Sequence, residues 1–342
     1  MNRNDTNSKK SMIQNIKNFK IYLNERFPLG KNSFFVLIFT LSGYIYTSLL
    51  YNSKIMHPFY VKGIRVPMSF YRIIPLFIII FMFFLQLRIT DEFKDYEEDL
   101  KYRAYRPVQR GVVTLKTLEK IGIATVIIQI MLAHVIDPEI IYFMIFVWIY
   151  MFLMAKEFFI KKWLTKRILI YALSHVVIMI FITLVIVEAT QYIVPKNIFD
   201  VFILQWYRHN IDFALIPLFT LNYLNGIVLE IGRKTRRADE EEHGVQTYSK
   251  LWGRKKAVVV LSLLFVIEYF LVILGLAHTY EKYFFFGELT LLVILIVSIY
   301  FMIKFLKKDL SGKIVETVSG LWIIFSSMSM GLLPYLFFSL TK

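Results

Sequence analysis

The apolar residues of this 342-residue chain form nine long segments separated by polar, charged stretches. A run of about 20 apolar residues is typical of a membrane-spanning helix, because backbone polar groups in lipid must be paired within their own segment. The pattern predicts spans at residues 34–50, 70–88, 112–136, 140–155, 168–187, 211–229, 257–277, 284–303 and 320–340. We therefore expect an all-α integral membrane protein. Residues 1–33 are predicted to form an N-terminal arm with an interfacial helix, and residues 34–342 a single transmembrane domain.

The distribution of charge predicts the orientation of these spans. The chain carries 40 Lys and Arg against 25 Asp and Glu, which gives a net charge of +15. With nine spans in strict alternation, 32 of the 40 basic residues fall on one side, and Lys- and Arg-rich loops face the cytoplasm. The N-terminus is thus predicted to be cytoplasmic and the C-terminus to lie across the cell membrane. A basic excess spread over short loops indicates a lipid bilayer as partner and argues against nucleic acid.

Composition excludes two further classes of protein. Hydrophobic residues make up 57% of the chain, and it has no cysteine. A disordered chain needs low hydrophobicity, and a disulfide scaffold needs cysteines.

Acidic residues are concentrated in two of the predicted cytoplasmic segments, where topology gives no reason for them. Six of the 25 lie in DEFKDYEED (91–99), directly after the second span. Helical periodicity puts Glu92, Asp95 and Asp99 on one face, and Asp91 begins a neighbouring stripe at a spacing of four. Like charges at these spacings destabilise a helix and call for a cation. Mg²⁺ suits that role, because it binds through one or two carboxylates plus substrate phosphates. The alternative is a solvated acidic turn neutralised by nearby bases, namely Lys94, Lys101, Arg103 and Arg106.

DEFKDYEED resembles the first Asp-rich motif, Asn-Asp-x-x-Asp-x-x-x-Asp, of the UbiA superfamily of intramembrane prenyltransferases. Asp91 stands at the position of its Asn and Glu92 at its first Asp, while Asp95 and Asp99 match in type and spacing. RPVQRGVVTL (106–115) resembles the Arg-Pro-x-x-x-Gly segment that follows in that family. Both pieces come after the second span, as they do in the family.

A second acidic segment follows the sixth span, where the family carries its second Asp-rich motif. GVQT (244–247) resembles the Gly-hydrophobic-x-Ser/Thr that closes this motif. The acids upstream depart from the expected Asp-x-x-x-Asp, because the sequence has Glu230 and then the acidic run 239–242. The resemblance implies Glu230 as the first candidate for a second metal site, with Glu240 or Glu241 next.

Basic residues beside both motifs are candidates for direct contact with a diphosphate. Arg offers bidentate geometry to phosphate oxygens, and Lys offers a compact charge. The candidates are Lys94, Arg106, Arg110, Arg233 and Lys234. The alternative for each of them is simple positive-inside topology.

Three polar residues lie on the sixth predicted span, one or two turns before the second acidic segment. Asn222, Tyr223 and Asn225 are at a depth where polar groups face the interior of a bundle. They are expected either to line a cavity or to form hydrogen bonds between helices.

Glu268 lies near the middle of the seventh predicted span, where an ionisable residue is functional by default. One interpretation is that it orients an acceptor or takes the proton lost during the reaction. Another is that it pairs with a buried partner such as His175 or His134. A third is that the helix is shifted and Glu268 lies nearer an interface.

The resemblance implies a bundle of about nine helices around a central cavity, capped on the cytoplasmic side by the 2–3 and 6–7 loops. It also implies a Mg²⁺-dependent enzyme that transfers the isoprenyl group of a prenyl diphosphate to an aromatic or other lipophilic acceptor. Asp95, Asp99 and Glu268 are then the expected catalytic residues. One alternative is a terpene cyclase on the same scaffold, which needs no acceptor. Another is a cation or solute transporter, which would be expected to place carboxylates near the bilayer midplane.

Overall fold

The computed structural model describes residues 3–52, 70–190, 214–241, 245–277, 279, 281–308 and 310–340. These residues form fifteen α-helices and contain no strand. The helices are α1 (Arg3–Arg26), α2 (Leu29–Asn52), α3 (Phe70–Lys94), α4 (Tyr96–Tyr102), α5 (Leu115–Ile136), α6 (Ile140–Ala155), α7 (Lys161–Leu164), α8 (Ile168–Val176), α9 (Ile178–Thr190), α10 (Ile216–Arg233), α11 (Tyr248–Trp252), α12 (Arg254–Leu276), α13 (Glu281–Lys307), α14 (Lys313–Met330) and α15 (Leu332–Leu340). The all-helical prediction is confirmed.

Six segments within these ranges are long and apolar enough to cross a membrane: α2, α3, α5, α8 continued by α9, α12 and α13. They coincide with the first, second, third, fifth, seventh and eighth predicted spans. The fourth predicted span is the shorter apolar helix α6. The sixth is α10, although residues 211–213 lie outside the described ranges, and the ninth is divided between α14 and α15. The count of nine crossings therefore stays a prediction.

Contacts between successive long helices close into a ring, which is also crossed by contacts of α2 with α9 and of α10 with α14. Neighbours in the chain are neighbours in space from α2 through α3, α5, α6, α9, α10, α12 and α13 to α14, which packs back against α2. Two hydrophobic cores fill the two halves of this ring. Phe83 and Met144 belong to the core built on α3, α5, α6 and α9, and Phe265 and Trp322 to the core built on α10, α12, α13 and α14. Helix α2 contributes to both cores and joins them.

Helix α1 lies against one end of the ring. The apolar residues Phe19, Tyr22 and Leu23 of α1 share a small hydrophobic cluster with residues of α3, such as Ile89, and with the segment between α4 and α5. The predicted N-terminal arm is thus helical and packs on the segment that carries the first acidic motif.

The α14–α15 break is fixed by a close approach to α2. A Cβ atom at Gly331 would overlap the backbone carbonyl of Ser42, so only glycine allows this packing. The apolar pattern of residues 320–340 continues through the break and gives no sign of it.

Candidate active site

The first acidic motif occupies the junction between α3 and α4. Asp95 ends α3 with φ −97° and ψ 6°. The helical hydrogen bonds nevertheless continue across it, because Asp95 N–H donates to the Asp91 carbonyl (2.9 Å) and Asp99 N–H to the Asp95 carbonyl (2.8 Å). The predicted i, i+4, i+8 stripe of carboxylates is therefore preserved through the junction.

Glu92 is fully buried and paired with arginine. Its Oε1 accepts a hydrogen bond from Arg26 Nε of α1 (2.7 Å) and lies 3.5 Å from Arg88 Nη2, one turn earlier on α3. Its other oxygen has no hydrogen-bond partner among the described residues. The family resemblance assigns this position to a metal ligand, whereas here the carboxylate joins α1 to α3.

Asp99 is also neutralised by arginine. It is 1% exposed, and it accepts hydrogen bonds from Arg103 Nη1 (2.9 Å) and from Arg106 Nη1. These are two of the four bases that the alternative of a neutralised turn names. Arg106 is consequently engaged with the motif, and its contact with a diphosphate stays a prediction.

Asp91 and Asp95 are the open members of the motif. The Asp91 carboxylate is 43% exposed, and it lies 3.6 Å from Lys94 Nζ and 3.5 Å from Arg88 Nη2. In the described part of the chain, the Asp95 side chain makes no hydrogen bond or ion pair. Burial raises the pKa of Asp95, and the negative charge of Asp91 raises it further, although Lys94 opposes both effects. A cation at this position would relieve that unfavourable charge.

The fit of these residues to Mg²⁺ rests on this open pair. No group of three or more His, Asp or Glu side chains in the described ranges is arranged to hold a metal ion by itself. Asp91 and Asp95 are two carboxylates one helical turn apart, which is the number Mg²⁺ uses when phosphates and water complete its shell. The pair fits the metal because both carboxylates are more accessible than those of Glu92 and Asp99, which are buried against arginines.

The second acidic segment begins at the end of α10. Glu230 binds two of the predicted diphosphate ligands, with Oε2 2.7 Å from Arg233 Nη2 and Oε1 2.5 Å from Lys234 Nζ. Burial lowers the pKa of Arg233, but the negative charges of Glu230, Asp91 and Glu316 outweigh burial and raise it. Asp91 of the first segment is therefore among the charges that favour the cationic form of Arg233.

Glu240 and Glu241 hold the loop that follows. Glu240 Oε2 accepts from the backbone N–H of Arg237 (3.2 Å) and of Gly312 (2.8 Å), which ties this loop to the start of α14. Glu241 accepts from the hydroxyls of Thr247 and Ser249 at 2.6–2.7 Å. Both carboxylates therefore form hydrogen bonds that stabilise this loop.

Thr247 explains why the GVQT segment ends in a hydroxyl residue. Besides binding Glu241, its Oγ1 accepts from Lys250 N–H (3.2 Å) and caps α11. Gly244 lies outside the described residues, as does Glu242.

Arg110 forms an exposed ion pair with α1. Its Nη2 lies 2.6 Å from Glu25 Oε1 of α1, and both side chains are about 40% exposed. Arg110, one of the five predicted diphosphate ligands, is therefore paired with an acid of α1.

Lys94 belongs to a network that the sequence did not reveal. Its Nζ donates to Tyr171 Oη of α8 (2.7 Å), and Tyr171 donates to Glu157 Oε1 (3.3 Å) in the turn after α6. His175 Nε2 lies 3.4 Å from the other oxygen of Glu157. Burial opposes ionisation of Glu157, but His175 and Lys94 outweigh burial and lower its pKa. No motif marks Glu157, which stands in a loop otherwise rich in lysine.

The three polar residues of α10 form hydrogen bonds between helices. Asn222 bonds to Thr183 of α9 (3.0 Å), Tyr223 to the Leu173 carbonyl of α8 (3.2 Å), and Asn225 to Ser326 of α14 (3.2 Å). These contacts agree with the interpretation that the three residues form hydrogen bonds between helices. Cavity lining by Asn222, Tyr223 and Asn225 stays a prediction.

Glu268 is fully buried between α12 and α14, where its Oε2 accepts a hydrogen bond from Trp322 Nε1. The predicted pairing with histidine is wrong. His134 is exposed on α5, and His175 lies beside Glu157. The indole N–H carries no charge, yet it can donate a hydrogen bond to a buried carboxylate.

Six apolar helices in the described residues are long enough to cross a membrane, which is typical of an integral membrane protein. The sequence profile of the UbiA prenyltransferase family matches residues 65–311, which include both acidic segments. The chain therefore belongs to the UbiA prenyltransferase family.

Solved structures agree with this assignment at the level of the fold. One is a digeranylgeranylglyceryl phosphate synthase in membranes, 19% identical, with a TM-score of 0.54 over 93% of this chain and 99% of that one. Another is the apo structure of a UbiA homolog from Aeropyrum pernix K1, 14% identical, with a TM-score of 0.55 over 85% of this chain and 96% of that one. A search of curated protein sequences found no significant match.

Proposed function

We propose that this protein is a Mg²⁺-dependent intramembrane prenyltransferase that joins the isoprenyl group of a prenyl diphosphate to a lipophilic acceptor. Membership of the family supports prenyl transfer. The observation that carries the assignment to this end of the bundle is the half-buried carboxylate of Asp95, which lies one helical turn from Asp91 and makes no hydrogen bond or ion pair in the described part of the chain. An amphiphilic substrate suits such a site, because its chain can remain in the apolar bundle while its diphosphate lies among these charges.

Two groups of residues would bind the diphosphate, the carboxylates through a metal ion and the bases directly. Asp91 and Asp95 would hold the metal, which when bound neutralises charge on the leaving diphosphate. Lys94 and Arg233 present cationic donors to phosphate oxygens. Each of these two bases is already held by neighbouring carboxylates, so little reorganisation accompanies binding.

The test is diphosphate release by the purified full chain in nanodiscs made from a total membrane-lipid extract, which supplies the lipophilic acceptor, with geranylgeranyl diphosphate and Mg²⁺. Asp95→Asn is expected to lower the rate by about 100-fold or more, the usual loss when one group that stabilises the leaving charge is removed. Glu97→Gln is the matched control, since Glu97 is an exposed acid of the same motif. Normal turnover by both Asp91→Asn and Asp95→Asn would contradict the metal assignment. Release of a cyclic hydrocarbon in the absence of acceptor would replace the transferase by a cyclase.

A further inference from the structure

The turn after α6 contains three successive non-glycine residues in the left-handed region: Glu157 (φ 50°), Phe158 (φ 52°) and Phe159 (φ 61°). This backbone is disfavoured for residues with a Cβ atom, and it persists only where surrounding contacts hold it. The turn exposes Phe159 (70%) and buries Glu157 (5%). The unusual backbone therefore has one clear structural result, which is an inward-facing carboxylate.

The buried carboxylate holds Lys94 through Tyr171. The Tyr171 hydroxyl accepts from the Lys94 ammonium at 2.7 Å and donates to Glu157 at 3.3 Å. Glu157 also lies 4.0 Å from the ammonium, which has Asp91 at 3.6 Å. Three separate elements, α3, the turn and α8, thus converge on a single lysine side chain that is 9% exposed.

The ammonium of Lys94 keeps donors for a ligand. It has three N–H groups, and within the described ranges only the Tyr171 hydroxyl accepts from it at hydrogen-bond distance. Asp91 and Glu157 are close enough to favour the charge but lie beyond 3.5 Å. A lysine on a flexible four-carbon stem would otherwise sample many rotamers. Here the surrounding residues fix the position of the Lys94 ammonium and leave some of its N–H groups available to a ligand.

We propose that Glu157 and Tyr171 are positioning residues, which hold the Lys94 ammonium beside Asp91 so that it binds a phosphate oxygen of the substrate diphosphate. This inference rests on the proposed function and extends it to the turn after α6. Glu157 contacts neither the phosphate nor the metal in this arrangement, and it acts through Lys94 alone.

The test is a double-mutant cycle on binding of inorganic pyrophosphate with Mg²⁺ to the full chain in nanodiscs, measured by calorimetry. Lys94→Met is expected to weaken binding roughly 10- to 100-fold, as loss of one charged hydrogen bond does. Glu157→Gln and Tyr171→Phe should each weaken it roughly 10-fold or less. The combination of Glu157→Gln with Lys94→Met should bind no more weakly than Lys94→Met alone. Glu97→Gln, the same change at an exposed acid, should bind as the native protein does.

A second measurement reports on Lys94 without any ligand. Acylation of lysines by an amine-reactive reagent, followed by mass spectrometry, should show Lys94 protected in the native chain and labelled several-fold faster in Glu157→Gln. Equal labelling in the two proteins overturns the positioning role, whatever the protein binds.

The remaining outcomes separate this inference from the proposed function. Additive losses in the cycle overturn the inference, and normal diphosphate release by the native chain then leaves the proposed function standing. Failure of the native chain both to bind pyrophosphate and to release diphosphate overturns the proposed function, and the phosphate role of Lys94 with it.

Discussion

Replacing Arg26 with alanine removes the closest partner of a carboxylate that has no access to solvent. Glu92 accepts from Arg26 Nε at 2.7 Å, and after the change only Arg88 remains, at 3.5 Å. Breaking a buried ion pair by deleting one member costs about 3–5 kcal/mol, because the other charge stays desolvated. We expect about 3 kcal/mol here, the lower end of that range, since Arg88 is retained. This loss of free energy weakens the docking of α1 on α3, because Arg26 belongs to α1 and Glu92 to α3.

The assay is cleavage of folded protein in nanodiscs by trypsin at Lys17 and Lys20, the exposed lysines of α1. A loss of about 3 kcal/mol in docking should speed this cleavage by roughly 100-fold when cleavage follows local opening. Two further variants serve as controls. Replacement of both Arg26 and Glu92 by methionine should restore most of the protection, because Arg88 keeps Asp91 at 3.5 Å and no charge is left unpaired. Equal effects of Arg26→Ala and of Arg110→Ala, which breaks an exposed pair worth about 1 kcal/mol at most, would refute the reasoning.

Two further predictions concern the packing of α14. Gly331→Ala should destabilise the protein by about 1–3 kcal/mol, because its Cβ would overlap the backbone of Ser42; in thermal unfolding, Gly320→Ala on the same helix has open space and should lose nothing. Glu268→Leu should cost about 1–3 kcal/mol by leaving the buried Trp322 indole N–H unpaired. Glu268→Gln retains an acceptor oxygen and should unfold at nearly the native temperature; equal melting temperatures for the two variants would contradict the hydrogen bond.

The spacing of the first motif determined its helical stripe but could not determine the partners of each acid. Periodicity is a local property, and it correctly predicts that Asp91, Asp95 and Asp99 follow one another along one side. The partner of Glu92 is 66 residues earlier in the chain, on a helix whose docking depends on tertiary packing. The division of the motif into two neutralised and two open carboxylates is therefore a property of the folded chain.

The turn at Glu157 is invisible in the sequence for a different reason. Left-handed backbone is normally marked by glycine or asparagine, and Glu157, Phe158 and Phe159 carry no such mark. The apolar run 320–340 similarly predicts an uninterrupted helix, because hydropathy does not register the close contact at Gly331. Composition located the membrane segments, whereas side-chain packing decided where they bend and which polar groups they bring together.

The docking of α1 has a consequence for the order of assembly during synthesis. This helix is translated before its partners, because Glu92 and the apolar residues that receive it, from Leu85 to Leu118, follow about 60 to 90 residues later. While they are missing, Tyr22 and its apolar neighbours have only the lipid surface or a chaperone to cover them. Docking of α1 must therefore wait until α3 and the start of α5 have been made. A nascent chain that ends before α5 contains α1 but lacks part of the surface on which α1 packs.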